Sequence, residues 1–254
     1  MQLEVSVVLL PGHLEPADLD GRAVVVFDVL RATTSMTAAL AAGVQEIRVF
    51  PDLEYARRAA QHHTAGPRIL SGEENCLAPP GFDLGNSPGA FNSREHRGRV
   101  IFMSTTNGTR AIIAATGAAA IFVGALVNAR AVADALLETG RGVTLLCAGT
   151  NGQVAMEDLL GAGAVLDAMT EAEPSRVRPS GDVAHVAQRL FRSARSDLRA
   201  ALAQSQGGRN VIEAGLPQDV DFAARLDALD VVGSVAPEAP VVRRWTASPS
   251  PSLA

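Results

Sequence analysis

Short β-branched runs alternate with Ala- and Leu-rich stretches of helical length as far as about residue 170, and this rhythm commits the chain to an α/β fold with a mainly parallel sheet. Strands are expected at residues 3–9, 23–27, 46–50, 68–70, 99–103, 120–123, 143–147 and 230–235. Several are unbroken apolar runs, as strands covered on both faces should be, so the arrangement expected is three-layered, α/β/α. Helices are expected at 34–42, 53–62, 109–116, 129–138 and 157–171, with Gly43, Gly117 and Gly140 as stops. Residues 173–181 read as a Pro-containing surface loop. A helical C-terminal part follows, from Asp182 to Gln204, with shorter helices near Val211 and Phe222. The whole of 1–246 reads as one domain, and the Ser/Pro-rich residues 247–254 as a disordered tail. An echo between Thr106-Asn107-Gly108 and Thr150-Asn151-Gly152, each after a strand and before a helix, raises the alternative of two similar halves; Asn-Gly is equally common turn chemistry.

Composition excludes several classes of function. All 22 Lys-plus-Arg positions are Arg, so Schiff-base chemistry and the P-loop lysine are both absent. A net charge of −5 gives no general attraction to nucleic acid or to an anionic membrane, so neither is expected as a partner, and any anion site must be local. Two cysteines fit a reducing compartment, and the first ten residues lack the basic region and cleavage site of a signal peptide, so a cytoplasmic location is expected. No run has the length and apolarity of a membrane span. Oligomeric state is not legible; a homodimer is the common arrangement for compact metabolic enzymes.

In open α/β sheets ligands bind beyond the carboxyl ends of the strands, and the polar motifs gather there. Asp28-Val29-Leu30-Arg31-Ala32-Thr33-Thr34, Ser71-Gly72-Glu73, Ser104-Thr105-Thr106-Asn107-Gly108-Thr109 and Ala148-Gly149-Thr150-Asn151-Gly152 each follow an expected strand. Gly- and hydroxyl-rich turns that open helices suit a phosphate without requiring Lys. Thr33, Thr34, Thr105, Thr106, Asn107 and Thr150 are therefore candidate phosphate ligands, with Arg31 as a bidentate fork and Cys147 at a strand end. Asp28, Glu73, Glu157 and Asp158 are candidate catalytic acids. Their mutual repulsion would be relieved by a divalent cation, and oxygen-only ligands favour Mg²⁺, with Asp28, Glu73 and Glu157 as its ligands. The five histidines are scattered, mostly on expected surfaces. The competing readings are helix caps for Asp28 and the threonines, and first-turn acids on a helix dipole for Glu157 and Asp158. Cys147 as the nucleophile of a thiol phosphatase lacks its arginine, since Gln153 stands where that residue belongs. Asp28 as a haloacid-dehalogenase nucleophile lacks the second Asp, since Leu30 stands there.

These residues resemble the 2-phosphosulfolactate phosphatase family. The likeness runs through Asp28 to Thr34, Gly72-Glu73, Gly81-Phe82-Asp83-Leu84-Gly85-Asn86-Ser87-Pro88, Thr105-Thr106-Asn107-Gly108-Thr109-Arg110-Ala111 and Asn128. It continues through Cys147-Ala148-Gly149-Thr150, Glu157-Asp158 with Ala162-Gly163, and Gly208-Arg209, Gly215-Leu216 and Asp219-Val220. The resemblance implies Mg²⁺-dependent hydrolysis of a small, anionic phosphorylated metabolite, 2-phosphosulfolactate, to sulfolactate and phosphate. It adds Asp83 to the active-site acids, Asn86 to the binding residues, and Arg110 beside Arg31 as an anion clamp. Where the family has Arg and two glycines after Gly72-Glu73, this chain has Glu74-Asn75-Cys76, exchanging a cation for an anion. That departure points to a phosphatase of a different phosphorylated acid, or to a non-catalytic anion-binding homologue, as the alternatives. Direct attack by water and a phospho-aspartyl intermediate on Asp28 are both open.

Overall fold

A computed structural model describes residues 2–236 and 239–246; the expected tail at 247–254 lies outside the described residues. The strands are β1 Leu3–Val8, β2 Ala23–Phe27, β3 Glu46–Val49, β4 Arg68–Gly72, β5 Val100–Ser104, β6 Ala120–Gly124, β7 Val143–Cys147, β8 Val177–Pro179, β9 Gly233–Val235 and β10 Val241–Arg244. They form one sheet in the order β4-β5-β3-β10-β9-β6-β2-β7-β1-β8. The pairs β4–β5, β5–β3, β6–β2, β2–β7, β7–β1 and β1–β8 are parallel. The hairpin β9–β10 joins the two parallel blocks through antiparallel edges to β6 and β3.

The helices are α1 Ala32–Ala41, α2 Leu53–Gln61, α3 Ser93–His96, α4 Gly108–Ala114, α5 Ala129–Thr139, α6 Met156–Ala172, α7 Gly181–Ala194, α8 Leu198–Gln204, α9 Gln206–Glu213 and α10 Pro217–Ala223. The run Ala-Val-Val-Val-Phe of β2 explains the layering. Val25 and Phe27 pack with α5, α6 and α7, whereas Val24 and Val26 pack with α1 and α4 on the opposite face. A third cluster sets Ala56 and Ala60 of α2 against Leu70, Val100 and Phe102. Phe27 is fully buried, and truncating such a side chain to Ala typically costs about 3–5 kcal/mol.

Several expectations are corrected. The loop expected at 173–181 contains β8, a three-residue edge strand on which Pro179 forfeits no ladder bond needed by a further neighbour. The strand expected at 230–235 is shortened to β9, and its partner β10 was unforeseen, as was α3. The helix expected from Asp182 to Gln204 is broken at Arg195–Asp197 by a 3₁₀ turn. Of the five histidines, expected mostly on surfaces, His96 is buried, and its Nδ1 lies 3.0 Å from the Asn92 nitrogen.

Candidate active site

The turns that follow β2, β4, β5 and β7 converge with α9 around a cavity of about 470 Å³. Its lining includes Asp28, Arg31, Glu73, Asn86, Asn107 and Thr150. Asp28 follows the last residue of β2 and is buried; its Oδ1 accepts from the Ala32 N–H at 3.1 Å, so it opens α1 while facing the cavity. Burial, opposed by the Ala32 and Gly108 N–H groups and reinforced by the charges of Glu73 and Glu157, pushes its carboxyl up to about 7. Gly108 permits this closeness, since a Cβ there would meet Ala32 Cβ at 2.5 Å and Asp28 Oδ2 at 2.7 Å.

Glu157 stands in the first turn of α6, 1% exposed, and neither of its carboxylate oxygens has a hydrogen-bond partner. It lies behind Gly207, on the cavity wall, where a Cβ would come within 1.9 Å of Glu157 Oε1. Asn86, 2% exposed, likewise has an unpartnered buried Oδ1. These orphaned atoms are all acceptors, and a buried acceptor left unmatched costs about 1–3 kcal/mol, more when charged. What they lack is a donor or a cation. Glu73, by contrast, is occupied: its Oε1 accepts from the Thr106 N–H and Oγ1 at 2.8 and 2.6 Å, and its Oε2 from the Cys76 N–H at 3.2 Å.

Among the described residues no three His, Cys, Asp or Glu side chains form a group that could hold a metal ion, so Asp28, Glu73 and Glu157 are not a preformed three-carboxylate cage. Mg²⁺ does not require one, because it keeps several waters and takes one or two carboxylates together with substrate phosphate. The unmatched Glu157 oxygens and the repelled Asp28 carboxyl fit that donor set.

Asp158 does different work. Its Oδ1 accepts from the Val29 N–H and its Oδ2 from the Gly149 N–H, both at 2.9 Å, tying the turn after β2 to the turn after β7. Burial, with the charges of Asp28 and Glu157, pushes its carboxyl well above the usual range, against those two N–H groups. Arg31 is buried and ion-paired with Asp219 on α10; its NH1 also donates to Ser87 Oγ, and its NH2 to the Cys76 carbonyl. The Leu30–Arg31 peptide bond is cis.

The threonine hydroxyls divide. Thr33 Oγ1 donates to the Asp28 carbonyl at 2.9 Å, Thr34 Oγ1 to the Val29 carbonyl at 2.7 Å, and Thr109 Oγ1 to the Thr105 carbonyl at 2.7 Å, so these shape turns. Thr105 Oγ1 accepts from the Thr109 N–H and is not on the cavity wall. Thr106, Asn107 and Thr150 do line the cavity, and Asn107 Oδ1 joins two rims by accepting from the Asn151 N–H at 3.2 Å. Outside the lining are Asp83, whose Oδ2 accepts from the Leu70 N–H, and the exposed Arg110. Cys147 is fully buried; that burial, with Asp158 and Glu157 close by, pushes its thiol well above its ordinary value, the opposite of an activated nucleophile.

A model of the family described as 2-phosphosulpholactate phosphatase matches residues 8–237. The chain belongs to the 2-phosphosulpholactate phosphatase family. A relative from Carboxydothermus hydrogenoformans is 37% identical over 230 residues, covering 91% of this chain and 92% of its own length. Another, from Symbiobacterium thermophilum, is 38% identical over 87% of this chain and 94% of its own length. A third, from Parasynechococcus marenigrum, is 40% identical over 85% and 90%. Each carries the name probable 2-phosphosulfolactate phosphatase, a phosphoric monoester hydrolase. Family membership also illuminates the rim. Asn75 and Cys76, at the positions where the resemblance expects glycines, have φ of 52° and 67°, the left-handed region that glycine enters without cost. Asn75 and Cys76 thus adopt a glycine-type backbone next to the acidic Glu74.

The site residues that sequence reasoning missed are Asp219, Ser87, Asn75, Cys76, Gly207 and Asn210. All six stood in or beside blocks already singled out, but no spacing rule ties them to the strand ends.

Proposed function

We propose that this chain hydrolyses a small anionic phosphomonoester, with 2-phosphosulfolactate as the first substrate to test, in the cavity between β2, β4, β5, β7 and α9. The names carried by its relatives support the substrate, and a cavity of about 470 Å³ suits a small metabolite. The observation that carries the reading is the buried, unpartnered carboxylate of Glu157 near an Asp28 whose carboxyl is raised to about 7. Such a floor is unfavourable alone and becomes favourable around a cation.

Asp28 and Glu157 are the residues that would hold Mg²⁺, and when bound it supplies neutralisation of the phosphoryl oxygens. Arg31, which also lines the cavity, donates to an oxyanion in a buried setting where charge-assisted hydrogen bonds are strong. The side-chain amide of Asn107, the hydroxyl of Thr150 and the backbone at Gly207, near the start of α9, surround the substrate with donors. Glu73 fixes the turn after β5 through Thr106, and Asp158 fixes the turn after β2, so the phosphate is met by a pre-arranged wall.

Glu74-Asn75-Cys76 favours a second reading, in which a related phosphorylated carboxylic acid is the better substrate, because the rim lacks the cation that a second strong anion would seek. Phosphate release from 2-phosphosulfolactate and from 2-phospho-carboxylic acids lacking the sulfonate, with Mg²⁺ and with chelator, tests both. Metal-dependent release from at least one is expected. Release that is absent throughout, or equal in chelator, defeats the proposal.

A further inference from the structure

One buried side chain beside the cavity has no part in the chemistry above. Asp219, in the first turn of α10, is 1% exposed, and its Oδ2 accepts from Arg31 NH1 at 2.5 Å and from Ser87 Oγ at 2.7 Å. The same NH1 donates to Ser87 Oγ at 3.1 Å, which closes a triangle of side chains from the turn after β2, the segment before α3, and α10. The Cys76 carbonyl takes one hydrogen of NH2. Among the described residues, the Nε hydrogen of Arg31 and its second NH2 hydrogen have no protein acceptor, and Arg31 lines the cavity.

We propose that Asp219 is a positioning residue: through the Arg31–Ser87–Asp219 triangle it fixes the guanidinium so that its two unused N–H groups meet an oxygen of the anionic substrate. The inference rests on the cavity being the phosphomonoester site proposed above. Two opposite effects of a buried counter-ion have to be compared. Asp219 lowers the net positive charge that an anion feels, which weakens binding. It also orders a long side chain during folding, so that ordering is not lost from binding. The hydrogen-bond inventory favours the second effect, because Asp219 and Ser87 use only NH1 while the hydrogens left over belong to the other two nitrogens. A guanidinium presents its planar fork only when its orientation is set, and a loosely held Arg gives up that advantage.

The test uses the full chain with Mg²⁺ and inorganic phosphate, titrated calorimetrically, alongside steady-state phosphate release. D219N keeps an acceptor for NH1 and drops the charge; it is expected to weaken phosphate binding about tenfold and raise KM in parallel, with kcat changed less than about threefold. R31M shows the same loss. R31M/D219N binds no worse than R31M alone, because Asp219 acts only through Arg31. A general structural role would not give that non-additivity or the split between KM and kcat. Phosphate binding that tightens in D219N, that stays within about twofold, or that falls additively in the double variant overturns the proposal. Should D219N fail to fold, S87A removes one support of the triangle, and R31M/D219N removes both buried charges together, which proteins tolerate far better than losing one. An S87A protein with unchanged phosphate affinity would then overturn it. A wild-type protein that binds phosphate but hydrolyses no phosphomonoester would defeat the functional reading and leave the positioning claim standing, so the two failures are distinguishable.

Discussion

Replacing Asp28 by Asn in the metal-free protein should flatten the dependence of stability on pH. Burial, together with Glu73 and Glu157, lifts this carboxyl from 3.8 to about 7 on folding. An acid whose pKa rises on folding is penalised when ionised, so the native state binds the extra proton and stability falls as pH climbs from about 4 to beyond 7. At about 1.4 kcal/mol per unit the full penalty is about 4 kcal/mol, of which roughly half to two-thirds, about 2–3 kcal/mol, develops between pH 5 and pH 8. Asn keeps an oxygen for the Ala32 N–H but turns an amide hydrogen toward the Gly108 N–H, a loss of about 1–3 kcal/mol that is independent of pH. Urea unfolding of both proteins in chelator at pH 5 and pH 8 gives four free energies, and their double difference isolates Asp28. A value of about 2–3 kcal/mol is expected, with D28N the flatter protein. Saturating Mg²⁺ should then stabilise the wild type at pH 8 and leave D28N nearly unmoved. A double difference below about 0.5 kcal/mol would refute the claim that this carboxyl is strained by its setting.

Gly207→Ala should force the Glu157 carboxylate out of its place, since the new Cβ would lie 1.9 Å from Oε1; Mg²⁺-dependent activity should fall at least about tenfold while stability changes by about 1–3 kcal/mol, and an unchanged Mg²⁺ titration of the melting temperature would contradict it. Glu46→Gln should weaken the joint between β3 and β10. Burial raises the Glu46 carboxyl, but hydrogen bonds from Arg48 and Arg243 outweigh that and hold it below its ordinary value. Its stabilisation is therefore present above the unfolded pKa near 4.5 and lost as pH falls through the lower folded value; denaturant curves should give a deficit of about 1–2 kcal/mol at pH 7 that shrinks as pH falls below 4.5. Cys147→Ala should retain kcat within about twofold and cost about 1 kcal/mol of stability by thermal melting; a loss of activity above about a hundredfold would restore the thiol as a nucleophile.

Apart from the short edge strand β8, which lies in the segment read as a loop, the strands of the two parallel blocks were legible because burial on both faces leaves continuous apolar runs, as in β2 and β5. The hairpin β9–β10 was only half legible, since β10 is a four-residue strand with two exposed Arg, and its membership in the sheet depends on pairing with β3 rather than on any pattern of its own. Acids at strand ends were visible as a cluster, but sequence could not separate Glu157, whose oxygens are unmatched, from Asp158, whose oxygens accept two backbone N–H groups, although the two are neighbours. The same ambiguity divides the threonines. A hydroxyl that caps its own turn, as Thr33 does, has the same local sequence as one that faces a ligand. Asp219 was invisible as a partner because 188 residues separate it from Arg31.

The most direct measurement is the anomalous signal of Mn²⁺, used in place of Mg²⁺, in a crystal grown with inorganic phosphate. The account predicts one cation touching carboxylate oxygens of Asp28 and Glu157 at about 2.0–2.2 Å, sharing an oxygen of a phosphate that also meets Arg31. A cation bound away from both carboxylates, or a phosphate seated outside the cavity, would contradict it.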